Sequence, residues 1–234
     1  MTGPVLVLWD LDLTLLHPSG FGTRMIAPVL AELLGREPVM DVPFAGRTDR
    51  AILTELLVRN GEPDDDIVPA LMDAVAERCE AHAHDLLDGG GGALPGAHRA
   101  VAALAEDPQI HQGVVTGNMR RVALLKLRVC GFGGLPDPAL GAFGDHHSDR
   151  AHLVAGAVAA ARNRGIDVSA ADSVVIGDHP HDVRGALDAG ARPIGVATGR
   201  VDAAELRSAG AHSVLPDLTD TAALLAALRA PAPA

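Results

Sequence analysis

Short apolar runs punctuate the chain, and helical patterns fill most of the space between them. Val5-Leu6-Val7-Leu8-Trp9 is uninterrupted by polar residues, as a strand buried on both faces of a parallel sheet must be. Similar runs occupy 113–115, 173–176, 193–197 and, more weakly, 212–215, with 139–143 a short further candidate. Amphipathic patterns over 96–106, 119–130, 151–164, 180–189, 202–208 and 219–228 predict helices between or after them. Strands and helices in alternation predict an α/β fold, a doubly wound parallel sheet.

The stretch 17–88 breaks that alternation. It offers helical patterns over 23–34, 49–60 and 64–87 and no convincing strand, which predicts an inserted all-helical cap. Pro18-Ser19-Gly20-Phe21-Gly22 leads into it and Gly89-Gly90-Gly91-Gly92 leads out, so both ends can serve as hinges, although four glycines also suit a plain surface loop. The expected division is a Rossmann-like core of 1–16 and 93–234 with a cap of 17–92. The Ala/Pro-rich tail 229–234 is expected to fray.

Composition narrows the function classes. Thirty acidic residues against 19 basic ones give a formal charge of −11, and the arginines are scattered, which disfavours nucleic acid and anionic membrane as partners. No apolar run approaches the roughly 20 residues that cross a bilayer, and no signal-type segment opens the chain, so a cytoplasmic protein is expected. Cys79 and Cys130 lie within apolar helical patterns and read as buried free thiols. An acidic protein that handles a phosphorylated molecule must supply local positive charge from a metal, a lysine or backbone N–H groups.

Reactive groups stand where three of the apolar runs end. The first ends in Asp10 and Asp12, the second in Thr116-Gly117-Asn118, and the third in Gly177-Asp178 with Asp182 four residues on. In an open α/β sheet the ligand site lies beyond the carboxyl ends of the strands, so these groups converge. Asp10 is the candidate nucleophile and Asp12 the acid/base, which would split a very slow hydrolysis into two steps. Mg²⁺, a hard ion that takes oxygen ligands, suits Asp10 with Asp178 or Asp182. Each acid alone reads better as a helix cap or turn residue; the constellation reverses that preference in favour of chemistry.

Thr116, Gly117 and Asn118 sit between a strand and a helix, where a hydroxyl and N–H groups can cradle phosphate, although Asn118 could equally cap the helix. Lys126 is the only lysine among the 19 basic residues. It lies two turns into that helix, about 10 Å along its axis, and would lean back toward phosphate and nucleophile; the alternative is an exposed helix lysine. Arg120, Arg121 and Arg128 are expected to face solvent. Asp149-Arg150 is expected to start a helix and to organise the metal's surroundings indirectly.

Together these residues resemble the haloacid dehalogenase superfamily, in its phosphoglycolate phosphatase and β-phosphoglucomutase-like branch with a helical cap. The family's DxDxT motif matches Asp10, Asp12 and Thr14, its strand-ending Thr or Ser matches Thr116, its lysine is best matched by Lys126, and its GDxxxD matches Gly177, Asp178 and Asp182. The resemblance implies an aspartyl-phosphate intermediate on Asp10, Asp12 as acid/base, and Mg²⁺ held by Asp10, the Asp12 backbone carbonyl, Asp178 and Asp182. Two departures stand out. Leu13 replaces the family's usual Gly, and Lys126 follows the second motif instead of preceding the fourth.

Substrate choice is expected to rest with the cap. Arg47, preceding a helix that Thr48 could cap, is a candidate grip for a substrate carboxylate or phosphate and otherwise a surface arginine; His17 and Phe21 are weaker candidates. The pairs His82/His84, His146/His147 and His179/His181 invite zinc, but oxygen ligands already account for the third and the others lack a complete ligand set. The expected activity is a Mg²⁺-dependent phosphatase acting on a small phosphorylated metabolite, in a monomer or homodimer. A phosphosugar mutase would use the same aspartates, a dehalogenase would need neither Asp12 nor the Asp178/Asp182 pair, and a non-enzymatic phospho-receiver would have little use for a cap.

Overall fold

A computed structural model describes residues 3–145 and 149–230. In chain order the elements are β1 (Val5–Trp9), β2 (Leu16–His17), α1 (Phe21–Leu34), α2 (Asp49–Arg59), α3 (Val68–Ala81), α4 (Asp85–Asp88), β3 (Gly92–Ala93), α5 (Ala97–Ala105), β4 (Ile110–Val114), α6 (Arg120–Val129), α7 (Arg150–Asn163), β5 (Ser173–Gly177), α8 (Pro180–Asp188), β6 (Arg192–Val196), α9 (Ala203–Ser208), β7 (Ser213–Leu215) and α10 (Thr221–Arg229). Five strands form a parallel sheet in the order β4-β1-β5-β6-β7. This is the α/β sheet that the alternation of runs predicts.

The unbroken apolar character of β1 follows from its central place. Val5, Val7 and Trp9 enter one hydrophobic core with residues of α5, α6, α10 and the helical segment, while Leu6 and Leu8 enter a second core with residues of α7 and α8. The Trp9 indole N–H donates to Gln112 Oε1 at 3.0 Å, and Gln112 Nε2 donates to the Val101 carbonyl at 3.0 Å, so the polar edges buried with them are satisfied.

Register matters for function. Trp9 lies level with Val114 on one side and Ile176 on the other, so β1, β4 and β5 end together. Whatever follows those strands shares one edge of the sheet.

Helices α1 to α4 form the cap, and the chain leaves and returns through an antiparallel ribbon that pairs Leu16 with Ala93 and His17 with Gly92. Phe21, Leu30, Leu53, Leu56 and Leu86 are fully buried there. The pattern 64–87 is divided in the structure. Asp64 accepts a hydrogen bond from Asp66 N and opens a 3₁₀ turn over Asp65–Ile67, and α3 stops at Ala81, where the His82 ring nitrogen lies 3.0 Å from the Arg78 carbonyl. The stretch 139–143 is a 3₁₀ turn, Pro138–Leu140, with a single bridge between Val115 and Ala142. Asp137 accepts from Ala139 N at 2.8 Å, and Pro138 sits at the first turn position, so the local chemistry favours a turn over a strand.

Cys79 and Cys130 are buried free thiols, pushed up by burial to about 12 and about 11 respectively, which favours the protonated thiol near pH 7. Among the described residues no helix is long and apolar enough to cross a membrane. His146 and His147 lie outside the described residues, as does 231–234 of the tail.

Candidate active site

The shared strand register brings the acidic groups together. Asp10 N donates to the Ile176 carbonyl at 2.9 Å and Val115 N donates to the Trp9 carbonyl at 2.9 Å, so Asp10, Thr116 and Asp178 emerge side by side at the carboxyl edge. Asp10, Asp178 and Asp182 are all buried and place one carboxylate oxygen each within 4.8 Å of the others. The Thr14 hydroxyl lies 3.4 Å from Asp10 Oδ2 and 3.3 Å from Asp178 Oδ1, bridging the first and third strand ends.

Asp182 is aimed by the start of α8. Its Oδ2 accepts from His179 N at 3.0 Å, while the His179 ring accepts from His181 N at 3.2 Å. This reciprocal capping fixes one oxygen and leaves Oδ1 for the acidic cluster. Burial raises the Asp10 carboxyl above its ordinary range, with Arg150 opposing the rise and Asp12 adding to it. Burial raises Asp178 as well, and the neighbouring Asp10 charge pushes in the same direction. Burial lowers the His179 imidazole to about 4, aided by His181, so this ring is neutral near pH 7.

Leu13 lies between the two motif residues Asp12 and Thr14 with φ 67, a left-handed conformation that costs a non-glycine residue about 1–2 kcal/mol. The turn is tied by Leu13 N to the Leu16 carbonyl at 2.7 Å and by the Thr198 hydroxyl to the Leu13 carbonyl at 2.5 Å. A glycine at this position would relieve the strain, which explains why the departure from the family pattern is tolerated without being favoured.

The cations divide their work differently from the sequence expectation. Lys126 is buried, and its Nζ donates to Asp12 Oδ1 at 2.8 Å, to Asp12 Oδ2 at 2.6 Å and to Asn118 Oδ1 at 2.7 Å. Asn118 Nδ2 donates to the same Asp12 carboxylate at 3.1 Å. Lys126 thus leans toward the start of α6 as expected, but meets Asp12, which stands beyond the strand end, instead of Asp10. Arg150 takes the place beside Asp10: its Nη1 is 3.2 Å from Asp10 Oδ1 and also bonds Asp182 Oδ1. Its contact with the acidic cluster is direct, where the sequence suggested an indirect one. The local hint at Arg150 is a cation in the first turn of a helix, which opposes the dipole, but Arg120 and Arg121 in the first turn of α6 share it.

Replacing Lys126 by Met is expected to lower stability by about 1–3 kcal/mol in urea melts, because Asp12 and Asn118 lose their shared donor while Asp12 remains partly hydrated. Unchanged stability would show that the triad contributes orientation alone.

Thr116 and Asn118 are buried, and Asn118 N donates to Thr116 Oγ1 at 3.3 Å. The cap reaches this loop through Asp49, whose N donates to the Gly117 carbonyl at 2.7 Å and whose Oδ2 accepts from Met119 N at 2.7 Å. Burial raises the Asp49 carboxyl to about 6. Gly117 is required by close approach, since a Cβ there would meet the Arg47 carbonyl. Arg121, expected in solvent, is exposed but pairs with Glu80 and Asp73 of α3. Such exposed pairs contribute little stability.

Between cap and core lies a cavity of about 450 Å³ lined by Asp10, Asp12, Thr116, Lys126, Arg150 and Asp178, among others. That volume suits a small molecule. Arg47 lines it too, but its Nη1 lies 2.6 Å from Glu55 Oε2. Thr48 caps α2, accepting from Ala51 N at 3.2 Å. His17 is exposed in the ribbon and Phe21 is fully buried in the hydrophobic core, and neither lines the cavity, because the ribbon turns His17 outward and α1 begins at Phe21 itself. Among the described residues the group able to hold a metal is Asp10, Asp178 and Asp182, and no histidine pair joins it.

Solved structures with the same fold cover almost the whole chain. A hydrolase from Pseudomonas syringae shares 21% identity over 95% of this chain and 98% of its own, with a TM-score of 0.68. A protein from Clostridium acetobutylicum described as a predicted phosphatase shares 21% identity over 96% of this chain and 100% of its own, with a TM-score of 0.70. A HAD family hydrolase from Deinococcus radiodurans R1, with bound phosphate and sodium, shares 27% identity over 99% of this chain and 100% of its own, with a TM-score of 0.58. No curated protein matches the chain in sequence. The family model for haloacid dehalogenase-like hydrolases matches residues 7–187, from the strand that presents Asp10 through the helix that carries Asp182, and the chain therefore belongs to that family.

Proposed function

We propose that the protein is a Mg²⁺-dependent phosphatase of small phosphorylated metabolites that works through an aspartyl-phosphate on Asp10. The observation that carries this reading is the meeting of three buried carboxylates with Arg150 on the wall of a cavity between cap and core, with Thr14 bonded behind them and an Asp12 held by Lys126 beside them. The phosphate bound to the Deinococcus radiodurans hydrolase supports the same reading.

Asp10, Asp178 and Asp182 would hold Mg²⁺, whose hard oxygen preference fits an all-carboxylate donor set, with the Asp12 backbone carbonyl completing the protein ligands as the family resemblance implies. The ion would supply positive charge for a phosphoryl group entering a cluster that is otherwise too acidic for it. An Asp10 oxygen attacks phosphorus, the bond from phosphorus to the ester oxygen breaks, and Asp12 gives its proton to that oxygen. Asp12 then takes a proton from water, the resulting hydroxide attacks the phosphorus, and Asp10 and inorganic phosphate are released. Thr116, Gly117 and Asn118 receive the phosphate oxygens, with the N-terminus of α6 behind them. Arg150 compensates charge at Asp10, and Lys126 orients Asp12.

The test is free-phosphate release over a panel of small phosphate monoesters, phosphoglycolate and sugar phosphates among them, with Mg²⁺ and with chelator. Release with Mg²⁺ and none with chelator is expected. Sugar-phosphate isomer formed without free phosphate would make the protein a mutase, and chelator-insensitive halide release would make it a dehalogenase.

A further inference from the structure

Four arginine or lysine side chains line the cavity: Arg47, Lys126, Arg150 and Arg200. Three are committed to carboxylates, Arg47 to Glu55, Lys126 to Asp12, and Arg150 to Asp10 with Asp182. Arg200 is exposed, and among the described residues it has neither a hydrogen bond nor an ion pair. In a chain with 30 acidic residues and a formal charge of −11, an unpaired cation facing a cavity is a departure from the local rule.

Its backbone is placed by the acidic cluster. Thr198 donates its hydroxyl to the Leu13 carbonyl at 2.5 Å, which ties this loop to the motif turn. Gly199 packs so closely on Asp178 that a Cβ there would meet the carboxylate. Arg200 is the next residue. Its attachment point is thus fixed one residue from a carboxylate of the acidic cluster, while Arg200 itself lines the same cavity as Asp10 and Asp12.

We infer that Arg200 reads the leaving group, selecting phosphate monoesters that carry a second anionic group, a carboxylate or a second phosphate. The inference rests on the phosphatase reading above and adds the substrate class to it. A free guanidinium offers two parallel N–H donors to either anion, a charge-assisted geometry that is stronger than a neutral hydrogen bond. Asp10 and Arg200 line one cavity of about 450 Å³, so a substrate whose phosphoryl end is held at Asp10 would share that space with Arg200. A neutral leaving group would leave that cation uncompensated.

The test measures binding, so it does not depend on turnover. Calorimetry in Mg²⁺ compares propylphosphonate, 2-carboxyethylphosphonate and ethylenediphosphonate on the wild type, on Arg200→Ala and on Arg200→Lys. The wild type is expected to prefer at least one of the two ligands with a second anionic group over propylphosphonate by about tenfold or more. Arg200→Ala should shrink that ratio toward unity and Arg200→Lys should recover part of it. Which of the two anions is preferred tells a carboxylate substrate from a bisphosphate. Equal affinity for all three on the wild type, or a preference intact in Arg200→Ala, overturns the inference while leaving the phosphatase reading standing. If none of the phosphonates binds and no monoester is hydrolysed, the phosphatase reading itself fails and this inference with it.

Discussion

Asp10→Asn is expected to lower phosphate release by about 10⁴-fold or more, because the amide cannot attack phosphorus as a carboxylate does and loses one metal-binding oxygen. The side chain is nearly isosteric and is enclosed in the central strand's exit, so the fold should survive. Thermal melting of the variant would verify that. The removed negative charge also leaves fewer buried carboxylates for Arg150 to compensate, so in chelator the variant is expected to melt at or above the wild-type temperature. Loss of activity without loss of stability is the combination that assigns Asp10 to chemistry. Asp10→Ala guards against slow deamidation of the asparagine; full activity in both variants would remove Asp10 from the mechanism.

Arg150→Met is expected to cost both activity and stability. Arg150 is the cation in contact with Asp10 and Asp182, and its side chain is only 10% exposed. Loss of one preorganised charge at a phosphoryl-transfer site reduces the rate by about 10²–10³-fold. Breaking a buried ion pair by deleting one partner costs about 3 kcal/mol or more, since the carboxylates stay behind.

The pH dependence of that loss has a definite sign. Asp10 and Asp178 already have folded-state values raised by burial, and without Arg150 they rise further. At pH below the ordinary carboxylate range, near 4, the groups are protonated in both the folded and unfolded chain and the loss is small. As pH rises through and above that range the unfolded chain gives up its protons and the folded one must hold them or bury charge, so stability falls. The melting deficit of Arg150→Met in chelator should therefore be larger at pH 8 than at pH 5, and Mg²⁺ should narrow it. A deficit indifferent to both pH and Mg²⁺ would mean that Arg150 supports only packing.

The core was legible because β1 carries its own instructions. A five-residue apolar run can be buried on both faces only in the middle of a sheet, and Asp10 directly after it must then lie at the strand's carboxyl end. The same reasoning places Thr116 and Asp178. What the sequence obscured were contacts between elements far apart in the chain. Lys126 drew attention by being the only lysine, yet nothing in one helix tells whether its side chain meets Asp10 or Asp12, since that depends on how α6 leans against the motif turn. Arg150 and Asp10 are 140 positions apart, and Arg150 follows a residue that reads as an ordinary helix cap. Its conflict with the helix dipole was the available clue, one that Arg120 and Arg121 share.

The cap shows the same division. Its helical character followed from periodicity, but the break of 64–87 into a 3₁₀ turn and two helices turned on local competition by Asp64 and His82 for backbone groups. Asp49 stands in the first turn of α2, where an acid is favoured by the helix dipole whatever else it does. Its bonds to Gly117 and Met119 depend on the tertiary fold and had no local signature.

Those two bonds join the fate of the lid to that of the loop beneath it. An outward swing that separates α2 from α6 breaks both at once, turning the Gly117 carbonyl and the Met119 amide loose to water in a single event. Were the lid to lift, the loop proposed to receive phosphate would lose both ties together, so completing that receptacle and shutting the lid would be one event, with Asp49 as the stitch between them.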